Sequence, residues 1–244
     1  MIISRTWVLK MIKAVFFDWF NTLADFKPPR AELYSQAFQQ FGIKPSPKEI
    51  MRGILTADRY YFEENAKSPV GKRSAEEQAR VYSYYPKAIL AEAGIKVAEE
   101  LPLKILKIVR QQIKELTFVL FDDVLSTLKT LKERGLILGL LTNATKDMLS
   151  LHRKLGIEHY LDFVVTAQEA GADKPKPPIF LAALDRAGVK AFEAVHVGDQ
   201  YQLDVEGAMG VGINPILIDR YDLYHEISDC PRILSLTELT QYLG

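Results

Sequence analysis

The sequence predicts an α/β protein: a doubly wound parallel sheet carrying one α-helical insertion. Two observations carry this prediction. Short, continuous apolar runs alternate with helical patterns through most of the chain, and one long stretch near the N-terminus shows helical spacing with no convincing strand. A strand that is apolar at every position is buried on both faces, as in parallel sheets covered by helices.

Ala14, Val15, Phe16 and Phe17 form the first such run, which stops at Asp18. From about residue 28 to 121 the apolar positions fall at helical spacing, as in Leu33, Ala37, Phe38 and Phe41, then Leu101, Ile105, Ile108, Val109 and Ile113. Pro45, Pro47, Pro69, Gly71 and Gly94 break this stretch into about four helices. Further apolar runs follow at 136–141, 163–165, 194–197 and 213–218. Helical patterns lie at 123–134, 146–155, 178–187 and 204–209. Alternation of this kind implies a parallel sheet covered on both faces. The expected domains are a core of residues 1–27 and 120–244 and a helical insertion of residues 28–119. An insertion directly after the first strand is placed to cover ligands, which bind at the carboxyl ends of strands in such sheets.

Apolar residues make up 48% of the 244 and charged residues 25%, the mix of a soluble globular protein. Lys plus Arg number 31 and Asp plus Glu number 31, so the net charge of zero gives no support for nucleic acid or an anionic membrane as the main partner. The single cysteine, Cys230, excludes an intrachain disulfide, fits a reducing compartment and reads as structural. No apolar run approaches the ~18 residues of a membrane span. The first ten residues are too short and interrupted for a signal peptide, and Met11 opens a cleaner strand, so they read as an upstream start or an extension. A cytoplasmic protein is expected.

Polar residues just beyond the strand ends of an open α/β sheet converge on one crevice. Here they are Asp18, Thr142 with Asn143, and Asp199, with Lys174 in the loop after the third run. Carboxylates, a hydroxyl, an amide and an ammonium suit phosphoryl transfer, whose catalysis is mostly positioning and charge stabilisation. Each residue also has a plain reading. Asp18 and Asp199 are turn formers, Asn143 or Thr145 a helix cap, Lys174 a solvated lysine, and Asp204 a charge suited to a helix N-terminus. His196 reads as a core histidine, and Tyr60, Tyr61, Tyr82, Tyr84 and Tyr85 as packing.

Four ordered segments resemble the motifs of the haloacid dehalogenase superfamily: Phe16 to Leu23, Leu140 to Asn143, Gly171 to Pro175, and His196 to Asp199 with Asp204. Any one is weak; four in order at matching strand ends are specific. The resemblance implies a Rossmann-like core with a helical cap of the superfamily's first type. It also implies a Mg²⁺-dependent phosphatase acting on a small phosphorylated metabolite through an aspartyl-phosphate on Asp18. Thr22, Thr142, Asn143 and Lys174 would contact the phosphate. Asp18, the backbone carbonyl of Phe20 and Asp199 would hold Mg²⁺, with Asp204 behind them holding metal water or orienting Lys174.

The match breaks at Phe20, where such phosphatases carry a second Asp as general acid and base, and at Asn21, where Gly is usual. Phenylalanine transfers no proton, so a factor of about 10²–10⁴ should be missing or supplied elsewhere. Dehalogenases of the superfamily also lack that Asp and are the leading alternative. They use no metal, however, and usually carry Ser and Asn where this chain has Gly198 and Asp199. An unpaired Asp199 beside Asp18 would repel the nucleophile's charge, a conflict that Mg²⁺ resolves. A catalytically weakened phosphate-binding or regulatory protein is a further alternative, as is a phosphonate hydrolase, although nothing marks Lys67, Lys72 or Lys87 as its Schiff-base lysine.

Overall fold

Buried at all four positions, β1 (Ala14–Phe17) runs through the centre of a six-stranded sheet. The computed structural model describes residues 12–113, 117–143 and 154–244. The chain forms two units: Met1–Asp25 with Val119–Gly244, and Phe26–Phe118.

The first unit holds the sheet. With β4 (Ile137–Thr142), β5 (Phe163–Thr166), β6 (Ala194–Gly198), β7 (Asn214–Ile218) and β8 (Arg232–Ile233), its order is β5-β4-β1-β6-β7-β8, and every ladder is parallel. The five expected apolar runs are all strands. The two-residue edge strand β8 is an addition, too short to leave a pattern. Phe17 pairs with Leu140 on one side and Val197 on the other, so β1, β4 and β6 end at one edge of the sheet. Strand order reverses about β1, and that is where such sheets bind ligands.

Phe16, Leu141, Val165, Ile179, Phe180 and Ala208 pack in one core cluster, which ties β1, β4 and β5 to the helix Pro177–Ala187. Val124–Glu133 is helical as expected, and Glu206–Met209 continues from a π-helical turn, Tyr201–Val205. Asp204 stands in the first turn of this π-helical stretch, three residues after its start. Its carboxylate folds back to accept the Gln200 N–H at 3.1 Å. The helical pattern at 146–155 and its cap Thr145 fall almost wholly outside the described residues. Cys230 is buried beside Val205 and Leu217, and burial pushes its thiol up to about 11, in keeping with a structural cysteine.

One strand contradicts the expectation for residues 28–121. β3 (Thr117–Leu120) pairs with β2 (Ala24–Lys27), and the Phe26 and Phe118 rings lie 4.6 Å apart. A four-residue, half-exposed strand cannot be told from helical spacing by periodicity.

Among the described residues of the second unit, five α-helices stand where about four were expected: α1 (Arg30–Gln39), α2 (Pro47–Lys67), α3 (Ala75–Tyr82), α4 (Tyr84–Glu92) and α5 (Leu101–Ile113). Ser46 and Glu49 cap α2 reciprocally with Pro47 at its first turn, and Ser74 and Glu77 do the same for α3. The extra break falls at Ser83, because Pro86 has no N–H to continue α3. The tyrosines pack on one another, Tyr60 with Tyr84 at 4.3 Å and Tyr61 with Tyr82 at 5.8 Å. Arg30 binds Asp58 through two hydrogen bonds, and the Tyr85 hydroxyl donates to the same carboxylate at 2.7 Å.

The crossing of α2 and α4 depends on Gly53, where a Cβ would lie 2.4 Å from the Ile89 Cα. Alanine in place of glycine adds up to about 1 kcal/mol of helix propensity, but overpacking against main chain costs about 1–3 kcal/mol. Gly53→Ala is expected to lower stability in a denaturant titration. Equal or greater stability would show that the two helices separate at little cost.

Candidate active site

The edge where β1, β4 and β6 end gathers the polar residues that the sequence singles out. Asp18 extends β1 by one ladder bond, its N–H donating to the Val197 carbonyl at 2.9 Å. β6 ends in Gly198 and delivers Asp199, β4 ends in Thr142 and delivers Asn143, and all but Asn143 are buried. Oxygens of Asp18, Asp199 and Asp204 lie within 4.8 Å of one another.

Lys174 holds this cluster together. Its ammonium donates to Asp18 Oδ1 at 2.5 Å and Asp204 Oδ1 at 2.6 Å, with the side chain only 2% exposed. The loop that carries it is pinned by Asn143, whose Oδ1 accepts the Lys174 N–H at 2.8 Å while its Nδ2 donates to the Lys174 carbonyl at 3.3 Å. Asn143 was expected to contact phosphate. Its amide also grips main chain through these two bonds.

Asp204 reaches the ammonium only because position 198 is glycine. A Cβ there would lie 2.2 Å from the Asp204 Cγ. His196, fully buried inside β6 and edge-on to Phe180, places Nε2 3.0 Å from Asp204 Oδ1. Burial lowers its pKa, so the ring is neutral and Nε2–H donates to the carboxylate. The core reading of His196 holds, with an orienting contact that the sequence did not reveal.

The two carboxylates on Lys174 differ in basicity. Burial pushes Asp18 up to about 6, against the pull of Lys174 and with a further push from Asp204. Burial acts on Asp204 in the same sense, but Lys174 and His196 outweigh it and hold that carboxyl well below the usual range. Burial would also lower Lys174, yet its two carboxylates keep the ammonium above its ordinary value. Three carboxylates thus meet one ammonium among the described residues. Hard oxygen donors with surplus negative charge fit a small divalent cation such as Mg²⁺.

The turn after Asp18 completes the site. Phe20 is half-buried and bridges to Ala24. Asn21 adopts a left-handed backbone (φ 56°), and its Nδ2 donates to Asp199 Oδ2 at 2.9 Å. Sequence reasoning missed that contact, although an asparagine where glycine is usual is itself the signal of a positive φ. Thr22 is fully enclosed, its hydroxyl has no hydrogen-bond partner among the described residues, and its carbonyl is engaged instead. The Thr22 side chain, expected to bind phosphate, is enclosed here, and its main-chain carbonyl carries the contact with Arg220.

Comparison with known proteins identifies the family and the fold. The model of the haloacid dehalogenase-like hydrolase family matches residues 12–212. A glyceraldehyde 3-phosphate phosphatase of Methanopyrus kandleri is 43% identical over 102 residues, which cover 41% of this chain and 43% of that protein, so the match spans less than half the length of this relative. A HAD phosphatase from Thermococcus onnurineus (TM-score 0.56, 26% identity) and a 2-haloacid dehalogenase from Pseudomonas syringae (TM-score 0.55, 28% identity) each align over 96% of this chain and 98% of their own. Both kinds of hydrolase thus share the fold. The family match takes in the whole buried cluster from Asp18 to Asp204, and the chain belongs to the haloacid dehalogenase-like hydrolases.

Proposed function

We propose that the protein is a phosphatase of small phosphorylated metabolites that uses Asp18 as its nucleophile. The carrying observation is the meeting of Asp18, Asp199 and Asp204 around one buried lysine. An Asp18 oxygen attacks phosphorus, the leaving oxygen departs with its electron pair, and an aspartyl-phosphate forms. Water then attacks that phosphorus and frees Asp18, dividing one hard step into two. Lys174 offsets the charge of nucleophile and phosphoryl group, and the Thr142 hydroxyl donates to a phosphoryl oxygen. Asp18, the Phe20 carbonyl and Asp199 would hold Mg²⁺, which supplies charge stabilisation at the phosphate. The helical unit is assigned the role of a cap that selects substrate.

Phe20 favours a second reading, that of a dehalogenase, since displacing halide needs no proton. Two features support the phosphatase. Asp199 adds a third carboxylate to the cluster, and like charges this close favour a bound cation. A serine at 198, usual in dehalogenases, would collide with Asp204.

Asp18→Asn should fold normally and abolish turnover of phosphate esters, because an amide is no substitute for this nucleophile. Activity should require Mg²⁺, fall on chelation, and demand far more metal in Asp199→Ala. Ordinary activity in folded Asp18→Asn would remove Asp18 from the mechanism. Metal-independent halide release from a 2-haloacid would establish the dehalogenase.

The lack of an acid at Phe20 makes a separate prediction. Lys174 is held by two carboxylates and His196 is enclosed, so neither is placed to protonate a leaving group. Aryl and acyl phosphates should therefore react much faster than alkyl phosphates. Phe20→Asp should raise alkyl-phosphate hydrolysis, by at most the ~10²–10⁴-fold of general acid–base catalysis. The measurement is rate against leaving-group pKa in both proteins. A flat dependence in the natural protein would mean that another group already supplies the proton.

A further inference from the structure

The turn that follows Asp18 is closed on itself. Leu23 and Ala24 both donate N–H to the Trp19 carbonyl at 3.0 Å, and the Asn21 N–H donates to the Ala24 carbonyl at 2.8 Å. A turn bonded in this way moves as a body, and with it move the Phe20 carbonyl and the Asn21 amide on Asp199. From outside it is held by main chain, the Phe121 N–H donating to the Leu23 carbonyl at 3.2 Å, and by the side chain of Arg220. Arg220 Nε and Nη2 donate to the Thr22 carbonyl at 3.1 and 2.6 Å.

Arg220 is itself fixed on other sides. Its two terminal nitrogens donate to the Asp123 carboxylate at 3.0 and 3.1 Å, and its guanidinium lies 3.9 Å from the centroid of the Phe121 ring. Asp123 in turn accepts from the Ser235 hydroxyl at 2.7 Å and the Leu236 N–H at 2.8 Å. The neighbouring Tyr221 hydroxyl donates to Asp25 at 3.2 Å. Only a planar fork of donors serves a carbonyl and a carboxylate together while stacking on a ring; an ammonium cannot. The guanidinium side chain is 8% exposed, so water does not compete freely for these bonds.

We propose that Arg220 is a positioning residue that clasps the turn of residues 19–24 through the Thr22 carbonyl and so sets Phe20 and Asn21 against the carboxylate cluster. This rests on the reading of Asp18 as nucleophile. Arg220 lies past residue 212, where the family match ends, just beyond the end of β7. It thereby gives the C-terminal segment a part in catalysis. Arg220 touches no reacting atom; it acts by geometry, and misplacement of a supporting contact is felt mainly in the chemical step.

The test is Arg220→Lys, which keeps the charge and removes the fork, with Arg220→Gln as a second variant that can still give Thr22 one bond. Two readouts are taken: kcat and KM with an aryl phosphate at saturating Mg²⁺, and amide hydrogen exchange. The expected result for Arg220→Lys is a kcat about 10–100-fold lower, the usual cost of losing a contact that orients a metal or catalytic ligand, with KM near that of the natural protein. The Leu23 and Ala24 amides should lose protection while those of β1 and β6 keep theirs, and Arg220→Gln should lie between. If Arg220→Lys does not fold, the same two readouts on Arg220→Gln decide. Unchanged kcat with unchanged protection, whatever the melting temperature, would overturn the proposal. So would a fall in kcat with the turn still protected. A natural protein that hydrolyses no phosphate ester would sink the phosphatase reading instead, leaving hydrogen exchange to decide the clasp.

Discussion

A buried ammonium shared by two carboxylates is the interaction on which the rest of the site depends. Taking charges out of water costs several kcal/mol per ion, and only close pairing repays it. Lys174 pairs with Asp18 and Asp204 at 2.5 and 2.6 Å, and much of the nearby structure serves that contact. Glycine at 198 leaves space for the Asp204 carboxylate. The π-helical turn brings that carboxylate inward, and His196 and the Gln200 N–H hold it there. Asn143 fixes the main chain from which the lysine extends. Removing Lys174 would leave three carboxylates facing one another, so the site cannot be dismantled one group at a time.

The same balance explains why Asp18 and Asp204 behave differently on the same lysine. Asp204 has His196 and Gln200 as further donors and stays firmly ionised. Asp18 is left the more basic of the two, and basicity suits a nucleophile. Asp199, with Asn21 on one oxygen, adds a third carboxylate to the cluster. On the proposed reading, the cluster would take a cation and an anionic substrate together, as phosphoryl transfer requires.

Much of this was legible in the sequence, for definite physical reasons. A strand buried on both faces is written as an unbroken apolar run, and residues at its end are delivered to one edge by parallel register. Asp18, Thr142, Lys174 and Asp199 were readable on that ground. β3 and β8 were not, since four and two residues carry no period. The contact of Asp204 with Lys174 was named only through the family resemblance, because the two lie 30 residues apart and a π-turn has no signature of its own. The main-chain contacts of Thr22 and Asn143 were not foreseen, because they join residues far apart in the sequence. Arg220 had a signal that went unused: it too follows a strand end, and it meets Thr22 from 198 positions away.

The central claim is that Asp18 attacks phosphorus, and it can be observed directly. The natural protein is mixed with an aryl phosphate and Mg²⁺, quenched in acid within a single turnover, digested and examined by mass spectrometry. The account predicts that the peptide containing Asp18 carries one phosphoryl group, and that a reaction run in ¹⁸O-water places the isotope in the released phosphate. Release of the aryl product with the Asp18 peptide unmodified at every quench time, or ¹⁸O appearing in the Asp18 carboxylate as it would after attack on carbon, would contradict it.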